Sequence, residues 1–263
     1  KRNQMVRGLE QFKAFFSEFE DNYVIIGGTA CEIHEEIYAQ TPRATKDIDV
    51  ILIVEALSKE FVSRFWEFVK KAQYGEQNKG IVERQHQKHE YYRFMNPANK
   101  EYPYQVELFS RNFGLIDFPE YAHITPIPVS EDLSSLSAIL MNDDYYHFTI
   151  EHSRLENGIH IANIESLICL KCKAYLEMTE RKAHGDQIDS KHIAKHKKDV
   201  FRLAAMLGVA ESFTVPKQLA DDISRFCEET SDDLPNADFI KTAGLGRTTG
   251  ENLLQQLKKS FLI

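Results

Sequence analysis

Apolar residues recur near the start of the chain at Met5, Val6, Leu9, Phe12, Phe15, Phe16 and Phe19. This spacing puts them on one side of a helix, so the pattern predicts a helix over 5–20. Tyr23-Val24-Ile25-Ile26 is a continuous apolar run of strand length, and Gly27-Gly28 closes it. A helix is predicted from Thr29 to about Tyr38, with Thr41-Pro42 as its breaker. Residues 48–54, rich in Ile and Val, read as a buried strand. Helical spacing returns over 58–72, where Phe61, Val62, Phe65, Trp66, Phe68 and Val69 share a broad face.

Between 81 and 162 the texture changes. The segments 91–95, 104–109 and 145–151 are aromatic or β-branched, are bounded by Asn, Pro and Gly, and read as strands set in loops. From Ile164 onward helices are predicted at 164–182, 190–207, 216–229 and 250–260. No internal repeat is visible. The expected class is α+β, with a core domain over 1–160 and a helical domain over 161–263.

Composition narrows the setting. The chain has 263 residues, 43% hydrophobic and 27% charged, which is ordinary for a globular protein. No apolar run approaches the ~20 residues that span a bilayer, and the first residues lack the pattern of a signal peptide. Four scattered cysteines, Cys31, Cys169, Cys172 and Cys227, do not suggest a disulfide framework. A cytoplasmic protein without membrane association is expected. The net charge of −8 argues against indiscriminate binding to nucleic acid. The local exception is a basic stretch with Arg181, Lys182, His184, Lys191, Lys195, Lys197 and Lys198. It suits the phosphates of RNA or of a nucleotide, and it equally suits a solvated helix face.

Chemistry concentrates at Asp47-Ile48-Asp49. Residues two apart on a strand point the same way, so the two carboxylates stand side by side. At about 4 Å they repel by roughly 4 kcal/mol at an effective dielectric near 20. A divalent cation with a taste for hard oxygen ligands offsets that repulsion, and magnesium is the usual choice. Taken alone, the pair is as readily two solvated carboxylates at a strand's exposed start.

The order strand, Gly27-Gly28, helix, then a strand with Asp47 and Asp49 resembles the nucleotidyltransferase superfamily built on the DNA polymerase β-like fold. Arg43-Ala-Thr45-Lys-Asp47-Ile-Asp49 is similar to the R-x-T-x-D-h-D form of AbiEii-type nucleotidyltransferase toxins. The resemblance covers 23–54 well and says little about 55–160. It implies a mixed sheet with flanking helices, and a third carboxylate on a later, adjacent strand. Glu107, an isolated charge in Tyr104-Gln-Val-Glu-Leu-Phe109, is the best candidate, ahead of Asp117, Asp143 and Asp144. AbiEii-like proteins also carry K-x-x-A and K-D motifs, matched here by Lys171-Cys-Lys-Ala174 and Lys198-Asp199. Helix geometry favours Lys171 over Lys173, because Lys171 falls on the stripe of Ile164, Leu167, Ile168, Tyr175 and Met178. The family often has an aspartate three residues after this Asp. Here Arg202 stands in its place, which leaves the role of Asp199 open.

The roles implied by the resemblance are as follows. Asp47, Asp49 and Glu107 hold one or two magnesium ions. Gly27, Gly28 and Thr29 cradle the phosphates of a nucleoside triphosphate. Arg43, Thr45, Lys171 and Asp199 attend the nucleotide. The acceptor is RNA, transfer RNA in particular, or a protein, in a toxin–antitoxin setting with a partner antitoxin. An antibiotic-modifying nucleotidyltransferase and a catalytically inactive nucleotide- or RNA-binding relative share the same core. Other patterns carry less. Cys169-x-x-Cys172 lies inside a helix without a second pair, His192 and His196 lack a third ligand, and Gly244, Gly246 and Gly250 follow no strand.

Overall fold

The computed structural model of the protein describes residues 6–74, 91–109, 139–140 and 142–263. Met5 and Asp117 lie outside the described residues. The fold is α+β with a six-stranded mixed sheet. The chain divides into two compact units. The first comprises Lys1–Ala30, Ala44–Pro128 and Ser153–Ile161, and the second comprises Cys31–Arg43, Val129–His152 and Ala162–Ile263.

The sheet belongs to the first unit. Its strands are β1 (Tyr23–Ile26), β2 (Asp47–Leu52), β3 (Tyr91–Met95), β4 (Gln105–Phe109), β5 (Ser153–Glu156) and β6 (Ile159–Ala162), in the spatial order β3-β4-β2-β1-β6-β5. β1 runs antiparallel to β2 and parallel to β6. β4 runs parallel to β2 and antiparallel to β3. Asn157-Gly158 joins β5 to β6 with φ of 50° and 79°, the two-residue hairpin turn that needs left-handed backbone at both positions.

Register divides the side chains between two faces. Tyr23, Ile25, Ile48, Val50, Leu52, Phe94, Val106 and Leu108 lie on one. α1 (Leu9–Phe15) and α3 (Lys59–Ala72) supply aromatic rings to that side. Phe12 meets Tyr23 edge-on at 5.3 Å between ring centroids, and Phe65 meets Phe94 at 5.5 Å. Phe16, fully buried, touches Phe61 and Phe68 at 5.7 and 5.3 Å. The same alternation puts Asp47, Asp49, Gln105, Glu107 and Arg93 on the opposite face. The carboxylates therefore share a face because the apolar residues between them are claimed by the aromatic core.

The second unit is helical. It contains most of α2 (Gly27–Ile37), α4 (Asp143–Glu151), α5 (Ile164–Ala183), α6 (Ser190–Ala204), α7 (Lys217–Thr230), α8 (Ala237–Ala243) and α9 (Gly250–Ser260). α5 is its central element, packed by α4, α6 and α7. Its burial is wider than the stripe read from sequence, because Glu165, Ser166, Cys169, Leu170 and Cys172 are buried too.

The segment 145–151, expected as a strand, is helical. Asn142 caps α4 by accepting from the backbone N–H groups of Asp144 and Tyr145, and Asp143 and Asp144 occupy the first turn. Capping and a negatively charged first turn outweigh the strand preference of Tyr145, Tyr146 and Phe148. Among the described residues no helix is long and apolar enough to cross a membrane.

Phe16→Ala removes the ring at the centre of the aromatic cluster. A loss of about 3–5 kcal/mol in unfolding free energy is expected from urea titration, the range for emptying a packed aromatic site.

Candidate functional site

Two charged clusters stand out, one in each unit. In the first unit the register sets residues of like charge directly across from one another. Asp49 on β2 is the partner of Glu107 on β4, and Glu107 is the partner of Arg93 on β3. Asp47 lies one row further along, opposite Gln105. Neighbouring strands are about 4.8 Å apart, so two ionised carboxylates in one row repel by roughly 3 kcal/mol at an effective dielectric near 20.

Glu107 bears most of this strain. It is buried, and its Oε1 accepts from Arg93 Nε at 2.8 Å and from Gln105 Nε2 at 2.5 Å. Burial and the nearby Asp49 nevertheless push its carboxyl up to about 8, with Asp47 adding and Arg93 opposing. Asp47 and Asp49 are half-buried.

The start of α2 is fitted to this row. Gly27 has φ of +65°, and a Cβ added there would lie 1.8 Å from Asp49 Oδ2. Glycine is required both for the backbone turn and for the carboxylate that fills its place. Gly28 is buried in the first turn of the helix. Thr29, expected beside a phosphate, is fully buried, and its hydroxyl donates to the main-chain carbonyl of Asp47 at 2.6 Å. It ties the helix start to the strand start. Thr45 is half-buried just ahead of β2.

The donor set is all carboxylate oxygen, which suits a hard divalent cation such as magnesium. Asp47 and Asp49 would hold it. Among the described residues no three carboxylate, imidazole or thiol side chains form a ready-made cage.

The second cluster brings together Lys171, Arg43 and Asp199 in the helical unit. Lys171 on α5 is buried, as its place on the inward stripe predicts, with Nζ 3.1 Å from Asp199 Oδ2. Arg43 grips the same carboxylate with Nε at 3.1 Å and Nη2 at 3.2 Å. Burial alone would raise the Asp199 carboxyl. Lys171 and Arg43 reverse this and hold it at about 2. Lys173 is partly exposed and pairs with Asp222 at 3.2 Å.

Around this triad, Glu35 accepts from the Arg43 backbone N–H at 2.7 Å and pairs with Arg202 at 3.3 Å. Arg202 thus serves a buried glutamate on α2. The Cys31 thiol is pushed up to about 12 by burial and stays neutral beside the triad.

The discounted patterns show no convergence. Cys169 and Cys172 are buried thiols within α5, and Gly244 ends α8. His192 is exposed, while burial and the neighbouring Lys171 hold His196 down at about 3. Asp143 and Asp144 are exposed on the first turn of α4. In the basic stretch, Arg181 pairs with Asp186 and Lys197 with Asp233, while Lys191, Lys195 and Lys198 are exposed on α6.

Arg93, Gln105, Glu35 and Arg202 escaped assignment from sequence. Arg93 was discoverable by the same signal as Glu107, a lone charge in the strand Tyr91-Tyr-Arg-Phe-Met95. No protein-family model and no curated protein matches the chain.

Two tests follow. Glu107 keeps its proton in the folded chain from about pH 4.5 to about 8, whereas the unfolded chain releases it at the lower value. Raising pH through that window therefore favours unfolding, and the destabilisation is fully developed above the folded value. Glu107→Gln stays neutral throughout. In metal-free buffer its melting temperature relative to the parent is expected to climb by several degrees between pH 5 and pH 9. A flat difference refutes the raised carboxyl.

In the second cluster, Asp199→Ala leaves buried Lys171 and half-buried Arg43 without their shared anion, and Lys171→Ala leaves Asp199 with Arg43 alone. The expected order of destabilisation is Asp199→Ala, then Lys171→Ala, then Lys173→Ala. The first lies in the range of about 3–5 kcal/mol and the last below about 1 kcal/mol, as read from chemical denaturation.

Proposed function

We propose that the protein is a metal-dependent nucleotidyltransferase with a polymerase β-like core, moving a nucleoside monophosphate from a nucleoside triphosphate to an acceptor hydroxyl. One observation carries the reading. Asp49 and Glu107 lie in register on adjacent parallel strands, with Asp47 on the same face and Gly27 giving up its side-chain space to the Asp49 carboxylate. This is the arrangement that the Gly27-Gly28 and Asp47-x-Asp49 resemblance implies, with the third carboxylate on the neighbouring strand.

A bound divalent cation supplies charge neutralisation at the attacking and leaving oxygens of an in-line displacement. The chain's own residues do the rest. Asp47 and Asp49 hold the cation. The backbone at Gly27 and Gly28, at the start of α2, offers N–H groups and a positive helix end to the phosphates. Glu107 takes the proton of the acceptor hydroxyl as its oxygen attacks the α-phosphorus and pyrophosphate leaves. A carboxyl pushed up to about 8 is a stronger proton acceptor once ionised than an ordinary carboxylate. The resemblance gives Lys171 the neutralisation of phosphate charge, and Lys173 is its natural control.

The acceptor class follows from the resemblance, as RNA, transfer RNA in particular, or a protein, with an antitoxin as partner. Incubation with α-labelled triphosphates, magnesium and a cell extract identifies it. Label on a small aminoglycoside-like molecule would instead favour an antibiotic-modifying enzyme.

Asp47→Ala and Asp49→Ala are each expected to abolish transfer in a folded protein. A thermal melt reads the site without the acceptor. Magnesium and a nucleoside triphosphate together, at about 100 times Kd, add about 2.7 kcal/mol. For a chain of this size that is roughly 5–10 °C. The shift is expected to need both components and to vanish in the double alanine variant. No shift with any of the four nucleotides at millimolar concentration overturns the proposal.

A further inference from the structure

β1 and β2 pair from Tyr23 and Leu52 as far as Ile26 and Asp49. At Gly27 the chain turns into α2, so Asp47, the first residue of β2, lies beyond the last of these pairs. The end of a ladder is where a strand frays. At this end the Thr29 hydroxyl donates to the Asp47 main-chain carbonyl at 2.6 Å, and Thr29 is fully buried. A side chain on the first turn of α2 thus holds the strand where β1 has turned away from it.

Gly27 fits the same turn to the second carboxylate. A Cβ there would lie 1.8 Å from Asp49 Oδ2 and 2.7 Å from Asp49 Cγ, so the carboxylate lies against the backbone of the turn. The start of α2 therefore touches both members of the pair, Asp47 through its main chain and Asp49 through its side chain. An aspartate carboxylate is two bonds from the main chain and follows it closely. Magnesium tolerates little displacement, since it demands near-octahedral oxygens at about 2.1 Å.

The hydroxyl proton is already engaged. A threonine hydroxyl has one donor, and an ionised phosphate oxygen only accepts. With its proton given to Asp47, the Thr29 hydroxyl has none for a phosphate.

We propose that Thr29 is a positioning residue for the metal pair, its hydroxyl fixing the main chain of Asp47 so that the carboxylates of Asp47 and Asp49 converge on a divalent cation. The proposal rests on the nucleotidyltransferase reading and deepens it. It takes Thr29 out of the phosphate cradle and leaves that task to the backbone at Gly27 and Gly28.

Manganese alone, titrated into the full chain and followed by the electron paramagnetic resonance signal of the free ion, tests this without nucleotide or turnover. Thr29→Val keeps the side-chain shape and removes the donor, and it is expected to bind manganese about tenfold or more weakly than the parent. Thr29→Ser keeps the hydroxyl and is expected to bind as the parent does. Asp47→Asn/Asp49→Asn is expected to take up none. Circular dichroism checks that each variant is folded. Thr29→Ala removes the same donor without setting a methyl against the Asp47 carbonyl, and it serves if Thr29→Val does not fold.

Parent-like manganese affinity in a folded variant without the hydroxyl overturns the role of Thr29 and leaves the Asp47–Asp49 site standing. So does a loss that Thr29→Ser shares in full. Unchanged manganese affinity together with weakened binding of inorganic tripolyphosphate would return Thr29 to the phosphates. Absence of uptake in the parent overturns the metal site itself and this proposal with it.

Discussion

A pleated strand fixes which way every second side chain points, and that constraint brings like charges together in this sheet. Ile48, Val50, Val106 and Leu108 are buried on one face, the face of Tyr23 and Phe94, which meet aromatic rings of α1 and α3. Asp47, Asp49 and Glu107 are thereby committed to the other, and none can turn away without drawing an apolar neighbour out of the core. A one-residue slip of β2 or β4 would bury the carboxylates under the aromatic rings, so the hydrophobic pattern pins the register that crowds them. What surrounds the row then follows. Gly27 leaves room for Asp49, Thr29 fastens the helix start to Asp47, and Arg93 and Gln105 converge on Glu107.

The helical unit solves a similar problem in another way. α5 is buried around most of its circumference, so a lysine in its middle has nowhere to send its charge. Asp199 answers both Lys171 and Arg43, and Glu35 answers Arg202. Each of these charges meets an opposite charge from another segment. Removing one partner leaves the other stranded, which makes this cluster strongly coupled to folding whatever further role Lys171 has.

Local signals made part of this legible. The strand Tyr23–Ile26, the helix at its end and the strand bearing Asp47 and Asp49 are marked by short apolar runs and by Gly27-Gly28, which need no knowledge of distant residues. Helices α5, α6, α7 and α9 follow from spacing alone. The helix Asp143–Glu151 was missed because Tyr145, Tyr146 and Phe148 favour a strand in isolation, while the deciding signal was a cap at Asn142, three residues before Tyr145. The partners of Glu107 and Arg202 were hidden for a different reason. Arg93 meets Glu107 through strand register, and Glu35 meets Arg202 across 167 positions of chain. Neither register nor long-range closure is written in any single window of sequence.

Glu107 and Asp199 carry the same functional group and are both buried, yet their carboxyls move in opposite directions, up to about 8 and down to about 2. Burial raises both, so the difference lies in the neighbours. Asp199 has two cations and gains from being ionised, as expected of a carboxylate that helps hold a fold together. Glu107 has one cation and two anions, so ionising it costs the folded state. Under the proposed reading, a divalent cation at Asp47 and Asp49 would offset the repulsion that Glu107 meets from Asp49 and Asp47.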